Sequence, residues 1–536
     1  MKTLRDHHSA ALFDPWDHLG PRRRKLLEKS WAGLFREFLL SHLPVHDLAA
    51  AFSDGQGRPS KDLFMALGAL ILQQLHDLTD QETVESLALN ITWHYALDIR
   101  HESDAYLCER TLRNYRAKVI EAGLEQSIFR SLTDTLIEQF GVNTAKQRLD
   151  STAIRSAIRG LTRLGILVEA TNKFLRELKR KEPDLFSTVD AELIRKYLER
   201  RGEGCFANTR PSESKRRLPE AAHDIFALVQ QFQASAAGKL EGFRLLHRIF
   251  DEQCEVTDHD DKQSVLVKPP QKMDCTNVVN PADPDARYNK HRGTGYLVQI
   301  METFEEDDTP SDPVAAAEVA KPDLITHVAV TEMTRHDKDA LQPALEETAQ
   351  RDVKPTTLLA DSHYGSMECL ETGRQHNVTI VAPDQTPKGK LQGKLTLEDF
   401  ELDEAGRITL CPGGATPVKT SVADQKLEAL FDGEQCTACP LLNRCPAAAV
   451  GRHAARFQYT PERVKHRARR LAEQSDEFRE QYRWRAGVEA TMSRFKHCLG
   501  MAKLRVRGKP SVTFTASMRA LGLNIRRATA YRAATT

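Results

Sequence analysis

Cysteine is scarce in this sequence, and long apolar runs are missing. Ten cysteines among 536 residues are too few for a fold held together by disulfides. The longest uninterrupted apolar run, residues 63–72, spans ten positions, whereas a membrane-spanning helix needs about 20. The first twenty residues mix charged and apolar groups and lack the apolar core of a signal peptide. We therefore expect a cytoplasmic protein with no membrane segment.

Net charge is nearly absent as well, because 76 Lys and Arg are balanced by 75 Asp and Glu. The distribution is uneven, however. Residues 451–536 contain 20 basic and 6 acidic residues, a local net charge of +14, which leaves −13 for the first 450. A basic segment on an otherwise acidic chain is typical of proteins that bind a polyanion, most simply nucleic acid. A solvated helical surface is the alternative interpretation.

Apolar periodicity separates helical stretches from strands. Residues 22–140 and 158–255 carry apolar side chains at three- and four-residue spacing, which predicts helices. Runs rich in Val, Ile, Leu and Thr predict strands at residues 147–155, 295–304, 324–333, 356–360 and 378–382. Helices are predicted between the last three of these strands. This order predicts a mixed sheet covered by helices, an α/β core.

The predicted domain organisation has five parts. These are a helical N-terminal domain (1–140), an α/β core (141–156, 257–382 and 462–508), a helical insertion (157–256), a Cys-containing insertion (383–461) and a basic C-terminal tail (509–536). The core is interrupted twice because the helical period of the first insertion, and the Gly, Pro and Cys content of the second, break the strand pattern.

Three acidic residues occupy positions where a sheet would expose a carboxylate at its edge. Asp150 lies in a predicted strand, Asp361 directly follows one, and Glu489 lies on a late helix. Oxygen ligands suit hard divalent ions such as Mg²⁺, and converging carboxylates can hold two ions for in-line displacement at phosphorus. An acid after a strand is by itself an ordinary turn residue, so this interpretation depends on the residues around Glu489.

The residues around Glu489 are predicted to share one helical face. The four residues are Tyr482, Arg485, Glu489 and Lys496, which are separated by 3, 4 and 7 positions. On an α-helix they fall within about 60° of one another. Such a face suits a phosphate-rich substrate, because Arg485 and Lys496 can meet phosphate oxygens while Glu489 binds a metal ion. A solvated face with an ion pair between Arg485 and Glu489 is the alternative.

This Tyr-x2-Arg-x3-Glu-x6-Lys pattern resembles the signature around the final catalytic acid of bacterial insertion-sequence transposases of the DDE superfamily. Asp150 and Asp361, the latter within residues 358–365, match the two other acids of that family. Residues 283–287, before a Gly-Thr-Gly-Tyr segment, are similar to the members that carry a helical N-terminal domain and a cysteine cluster. The resemblance extends from about residue 34 to residue 508.

The resemblance implies an RNase H-like core in which Asp150, Asp361 and Glu489 hold two Mg²⁺ or Mn²⁺ ions. It implies a metal-dependent transposase that cleaves the ends of its mobile element and joins them to target DNA. Residues 1–140 would bind the terminal inverted repeats, and the protein would act as a homo-oligomer on double-stranded DNA at the bacterial nucleoid. The alternatives are a hydrolytic nuclease on the same core and a DNA-binding regulator with a silent site.

Further residues are predicted to contact DNA phosphates. They are Tyr482, Arg485 and Lys496 on the signature helix and Arg505 and Arg507 just after it. Asp283 and Asp285 form a competing carboxylate pair, but an Asp-Pro-Asp loop is more typical of a turn. For His363 we expect a local hydrogen bond, and for Asp337 a helix cap.

Four cysteines are predicted to gather around a zinc ion. Cys436, Cys439 and Cys445 have the short spacing of a thiolate knuckle, and a closed structural site needs four ligands. Cys411 is the expected fourth ligand, with His453 as a substitute. Reduced cysteines without a metal are the alternative.

Overall fold

The computed structural model describes residues 3–7, 14–52, 59–199, 211–259, 262–306, 319–423, 425–451 and 453–535. The chain forms two compact units. Unit 1 comprises Met1–Asn143, Ser151–His336 and Ala490–Thr536, and unit 2 comprises Thr144–Asp150 and Asp337–Glu489. The five predicted domains have other boundaries and remain a prediction.

Helices dominate unit 1 and flank the strands of unit 2. In chain order they are α1 (Gly20–Lys29), α2 (Trp31–Leu34), α3 (Val45–Ala49), α4 (Leu63–Leu75), α5 (Asp80–Leu89), α6 (Ile91–Ala96), α7 (Glu109–Glu121), α8 (Glu125–Phe140), α9 (Arg163–Lys181), α10 (Pro183–Phe186), α11 (Ala191–Ile194), α12 (Pro211–Phe232), α13 (Glu241–Gln253), α14 (Leu341–Ala349), α15 (Met367–Gln375), α16 (Lys388–Leu391), α17 (Gly433–Thr437), α18 (Pro461–Ala472), α19 (Asp476–Tyr482), α20 (Gly487–Ser493) and α21 (Lys509–Thr535). Within the described part of the chain, no helix combines the length and the apolar character needed to cross a membrane.

The strands form one central sheet and three smaller ones. In chain order they are β1 (Lys146–Arg155), β2 (Cys254–His259), β3 (Lys262–Val267), β4 (Arg287–Asn289), β5 (Gly293–Thr303), β6 (Ile325–Glu332), β7 (Thr357–Ala360), β8 (Thr379–Val381), β9 (Glu401–Leu402), β10 (Ile408–Leu410), β11 (Lys419–Ala423), β12 (Lys426–Asp432), β13 (Ala448–Val450) and β14 (Ala454–Tyr459). The central sheet has the order β4-β5-β1-β7-β8, and β6 pairs with β5. Because β5 is antiparallel to β4 and β6, whereas β7 is parallel to β1 and β8, the sheet is mixed, as predicted.

The register of β1 and β7 positions the first two predicted acids. Residues 146–149 pair in parallel with residues 357–360, and Leu149 lies opposite Ala360. Leu149, Leu358 and Leu359 are fully buried, so the hydrophobic effect fixes this register. Asp150 and Asp361 each follow the last paired residue. Their backbones therefore lie side by side where β7 ends, while β1 itself continues to Arg155.

Each predicted insertion has its own hydrophobic core. In unit 1, buried side chains from Leu164 to Val278 form one cluster, so the packed body extends beyond the predicted end at residue 256 and includes the β2–β3 hairpin. In unit 2, a second cluster extends from Leu397 to Tyr459 and lies on the sheet of order β11-β12-β14-β13. Short strands with alternating burial formed here, and the sequence pattern did not reveal them.

The predicted basic tail is a long helix, α21, with a continuous buried stretch. Residues 514–525 are all buried, and α21 packs on α4, α8 and β6 of unit 1. The arginines of α21 made this segment look exposed in the sequence. Several of them instead have hydrogen-bond partners inside the unit. Arg519 pairs with Asp77, and Arg526 donates to the Leu75 carbonyl.

A buried ion pair connects α21 to β5 in unit 1. Glu302 is fully buried and accepts hydrogen bonds from Thr491 Oγ1 at 2.7 Å and from Arg527 Nη1 at 2.8 Å. Arg527 also donates to the Asp323 carbonyl at 3.0 Å. Such a pair contributes little compared with an apolar replacement, but the loss of one partner leaves a buried charge uncompensated.

Replacement of Arg527 by Met should therefore lower the free energy of unfolding by about 3–5 kcal/mol. Urea denaturation followed by circular dichroism measures this change. The matched control is Arg159→Met, since Arg159 is 78% exposed in its pair with Glu169 and exposed pairs contribute little. Equal effects of the two substitutions would contradict a structural role for the buried pair.

Candidate active site

Asp361 begins the 3-10 turn Ser362–Tyr364 and caps it. Its Oδ1 accepts a hydrogen bond from the His363 backbone N–H at 2.9 Å, and its Oδ2 lies 3.0 Å from His363 Nδ1. The local hydrogen bond that we predicted for His363 is present. The cap fixes the backbone of Asp361 directly at the end of β7, where Asp150 is its neighbour on β1.

A single guanidinium joins two of the three predicted acids. Arg485 Nη2 donates to Asp150 Oδ2 at 2.7 Å, and its Nη1 donates to Glu489 Oε1 at 2.6 Å. The side chains of Arg485 and Asp150 are 17% and 14% exposed, whereas Glu489 is 65% exposed. The Nε of Arg485 is buried and has no hydrogen-bond partner among the described residues. The ion pair of Arg485 with Glu489, which the alternative interpretation gave, is present, and the same cation also binds Asp150.

The backbone around this guanidinium departs from the single α-helix that we predicted. Helix α19 ends at Tyr482, a 3-10 turn covers Arg483–Ala486, and a π-helical turn covers Arg494–Cys498 after α20. A constant rotation of 100° per residue therefore does not hold, and the prediction of one regular helical face is wrong. Lys496 lies in unit 1, so its proximity to Glu489 stays a prediction.

Buried Arg148 of β1 contacts the 3-10 turn. Its Nη1 donates to the Trp484 carbonyl at 3.0 Å, and its guanidinium occupies the space that a Cβ at position 487 would need. Only glycine at 487 permits this close approach. Arg148 was not among the predicted site residues, although a charged residue beside Leu149 in an otherwise buried strand was a signal for it.

The phenol of Tyr482 lies in the electrostatic field of all three acids. Burial is the largest effect and raises the pKa of Tyr482. Arg485 lowers this pKa, while Asp361, Asp150 and Glu489 raise it. Tyr482 is half-buried. Unit 2 thus gathers four of the predicted residues with Tyr482 in one neighbourhood.

The donor set fits a divalent cation by its chemistry. Asp150, Asp361 and Glu489 offer carboxylate oxygens, which Mg²⁺ and Mn²⁺ prefer. In the described part of the chain, no three His, Cys, Asp or Glu side chains are arranged to hold a metal ion. The Arg485 guanidinium lies between Asp150 and Glu489 as their cation in this structure.

The competing pair Asp283 and Asp285 has a different role. Asp283 is fully buried in unit 1 and accepts hydrogen bonds from Ser156, Tyr296 and the Gly508 N–H. Asp285 accepts a bond from the Lys509 N–H at 3.1 Å. Both carboxylates therefore anchor the segment that leads into α21, and the structure gives this pair no metal-binding arrangement.

Arg505 and Arg507 lie on that same segment of unit 1. Arg505 donates to the carbonyl of Asp77 at 3.1 Å and to its carboxylate at 3.2 Å. The Nε of Arg507 donates to the Ala157 carbonyl at 3.0 Å. Both side chains are exposed, so each guanidinium is held by the protein, Arg505 through Asp77 and Arg507 through Ala157, while it remains accessible to solvent.

The four cysteines of the predicted zinc site line one cavity of about 500 Å³ in unit 2. They are Cys411, Cys436, Cys439 and Cys445. Burial raises the pKa of the Cys436 and Cys445 thiols, and the neighbouring cysteines raise it further. His453, the predicted substitute, is not among the residues that line this cavity.

The loop at Cys411 has the form of a knuckle. The Ala415 N–H donates to Cys411 Sγ at 3.3 Å. A Cβ at Gly413 would lie 2.8 Å from Cys439 Sγ and 3.7 Å from Cys411 Sγ. Glycine at this position therefore lets two thiols approach the same turn.

Two family models match the chain. One is described as Transposase DDE domain and matches residues 410–529, and the other is described as Transposase domain (DUF772) and matches residues 25–118. Both matches support an insertion-sequence DDE transposase. Comparisons of the transposase with curated proteins and with solved structures give no match.

The two matches fall on different parts of the transposase. The DDE match includes Glu489, the cysteine cluster and most of α21, and the other match covers α1 to most of α7. A DDE transposase acts on DNA, and neither alternative, the hydrolytic nuclease or the silent regulator, is favoured.

Proposed function

We propose that this transposase cleaves the ends of its element and joins them to target DNA by two-metal phosphoryl transfer at Asp150, Asp361 and Glu489. The observation that supports this most strongly is the ion-pair arrangement in unit 2, where one guanidinium binds both Asp150 and Glu489. Asp361 lies at the end of the neighbouring strand. The protein would act as a homo-oligomer that holds both inverted repeats of the element.

The residues of the site have separate roles in this reaction. Two bound Mg²⁺ or Mn²⁺ ions would activate the attacking oxygen and stabilise the leaving oxygen at phosphorus. Asp150, within β1, and Asp361, directly after β7, would hold the metal-binding oxygens in place, and exposed Glu489 would complete the set from α20. Arg485 would exchange a carboxylate for a phosphate oxygen of the DNA, which its planar fork can bind.

The reaction needs no covalent bond between protein and DNA. Water first attacks the phosphorus at the element end, and the bond to the 3′ oxygen breaks, which leaves a 3′-hydroxyl. That hydroxyl then attacks a phosphorus of the target DNA and displaces the 3′ oxygen of the target strand. In both steps negative charge develops on the oxygens of the reacting phosphate. The ions held by the same three carboxylates would stabilise it.

Each of the substitutions Asp150→Asn, Asp361→Asn and Glu489→Gln should abolish DNA cleavage and leave DNA binding nearly intact, because each removes a metal-binding charge and keeps the shape. Cleavage of labelled element-end DNA with Mg²⁺ measures this. Glu368→Gln is the control, since Glu368 is an exposed carboxylate of unit 2 that pairs with Lys338. A variant that keeps near wild-type cleavage would exclude its residue from the site.

Strand transfer distinguishes the transposase from the rival functions. Purified protein, element-end DNA and a target plasmid should give joined products that a gel resolves. Cut ends without joined products would instead indicate a hydrolytic nuclease, and binding without cleavage would indicate a regulator.

We further propose that Arg505 and Arg507 contact DNA phosphates together with Tyr482, Arg485 and Lys496. Both arginines are exposed and lie in the basic C-terminal part of the chain. Their contacts with Asp77 and Ala157 orient the guanidinium groups and leave further donors on each.

Replacement of both Arg505 and Arg507 by Ala should reduce the slope of log affinity against log salt by up to about 2, since each phosphate contact contributes about 0.9. Binding to all DNA sequences should weaken alike, because phosphate contacts carry no base information. Fluorescence anisotropy at several salt concentrations measures the slope. The control is the double variant Arg176→Ala, Arg180→Ala on α9. An unchanged slope in a folded Arg505, Arg507 variant would place the DNA elsewhere.

A structural zinc ion is our proposal for the cysteine cavity. The four thiols line one cavity, and the turn at Cys411 has a backbone N–H that donates to the Cys411 sulfur. Binding would draw the four sulfurs together and release their protons, because zinc binds thiolates.

Purified transposase should accordingly contain about one zinc per chain, and Cys439→Ser should lose it. Metal analysis of protein prepared without chelators measures the content. Cys369→Ser is the control, since this buried cysteine lies outside the cavity. Protein that is folded and free of zinc would show that these cysteines are ordinary thiols.

A further inference from the structure

Tyr364 has a buried hydroxyl with nothing to bind. It lies three residues after Asp361, at the end of the 3-10 turn Ser362–Tyr364, and its side chain has 0% exposure. Its hydroxyl has no hydrogen-bond partner among the described residues. A buried polar group without a partner destabilises the folded protein. Phenylalanine would fill the same space without this penalty, so the hydroxyl calls for a functional explanation.

The turn that contains Tyr364 lies among acidic residues of unit 2. Asp361 caps it, the 3-10 turn Asp337–Ala340 packs against it, and Asp337 is itself buried. Burial is the main cause that raises the pKa of Tyr364 well above its usual value, and Asp337, Asp361 and Asp150 raise it further. The hydroxyl bonds to none of these acids in this structure and is an available hydrogen-bond donor. We predicted Asp337 only as a helix cap.

We propose that Tyr364 is a positioning residue of the catalytic centre, whose hydroxyl donates to the carboxylates of Asp150 and Asp361 and orients them when divalent ions bind. This inference rests on the proposed function of the same site. In this structure Arg485 donates to Asp150 and the His363 backbone N–H donates to Asp361, while the Tyr364 hydroxyl donates to neither carboxylate. Ion binding would release Asp150 from Arg485 and let its carboxylate rotate toward the phenol.

The substitution Tyr364→Phe removes only the hydroxyl, and it should affect stability and Mn²⁺ affinity in opposite directions. The melting temperature of the metal-free protein should stay the same or rise, because an unsatisfied group is lost. Mn²⁺ should bind about tenfold to a hundredfold more weakly, the usual effect of removing a hydrogen bond to a metal ligand. Calorimetry and electron paramagnetic resonance of Mn²⁺ measure the affinity without any reaction.

Tyr459→Phe is the matched control in the same unit. Tyr459 is also buried, but its hydroxyl accepts from the Ile408 N–H at 3.0 Å and donates to the Gly406 carbonyl at 3.0 Å. Its loss should lower the melting temperature and leave the Mn²⁺ affinity unchanged. The two variants are thus expected to show reversed patterns.

Cleavage kinetics provide a second readout. The rate of Tyr364→Phe should be half-maximal at about tenfold higher Mn²⁺ than for the wild type and should approach the wild-type rate at saturation. An unchanged Mn²⁺ affinity in Tyr364→Phe, or a maximal rate reduced equally at every Mn²⁺ concentration, would overturn the role of Tyr364. Failure of the proposed function has a different signature, because Asp150→Asn would then bind Mn²⁺ as tightly as the wild type.

Discussion

Carboxylates that converge in a partly buried site repel one another, and a cation must compensate their charge. In this transposase the cation is Arg485, which binds Asp150 on β1 and Glu489 on α20. The ion pairs bring β1 and α20, which are far apart in sequence, into one site. A divalent ion would satisfy the same carboxylates, and in this structure the guanidinium supplies the positive charge at that place.

The sequence predicted the two strands that position Asp150 and Asp361. The strand before Asp361 is short, buried and aliphatic, and the strand that carries Asp150 contributes buried Leu149 to their parallel pair. The resemblance to DDE transposases added Glu489 and the reaction. It drew on the spacing of residue types, and two family models agree with it.

Local geometry was harder to predict because it depends on partners distant in sequence. The 3-10 turn before α20 packs against Arg148, which donates to the Trp484 carbonyl and occupies the space beside residue 487. Similarly, α21 was predicted as a basic tail because its arginines suggested an exposed segment. The acidic residues that pair with these arginines lie hundreds of positions away in the sequence, so the pattern around α21 gave no sign of its buried stretch. The unpartnered hydroxyl of Tyr364 has no sequence signal at all.

The account depends on Asp150, Asp361 and Glu489 forming one metal-binding site, and a crystal soaked with Mn²⁺ tests this most directly. Anomalous difference maps should show Mn²⁺ bound by these three carboxylates, with Arg485 moved away from at least one of them. Crystals at saturating Mn²⁺ in which Arg485 still binds both Asp150 and Glu489, with Mn²⁺ absent or elsewhere, would contradict the account.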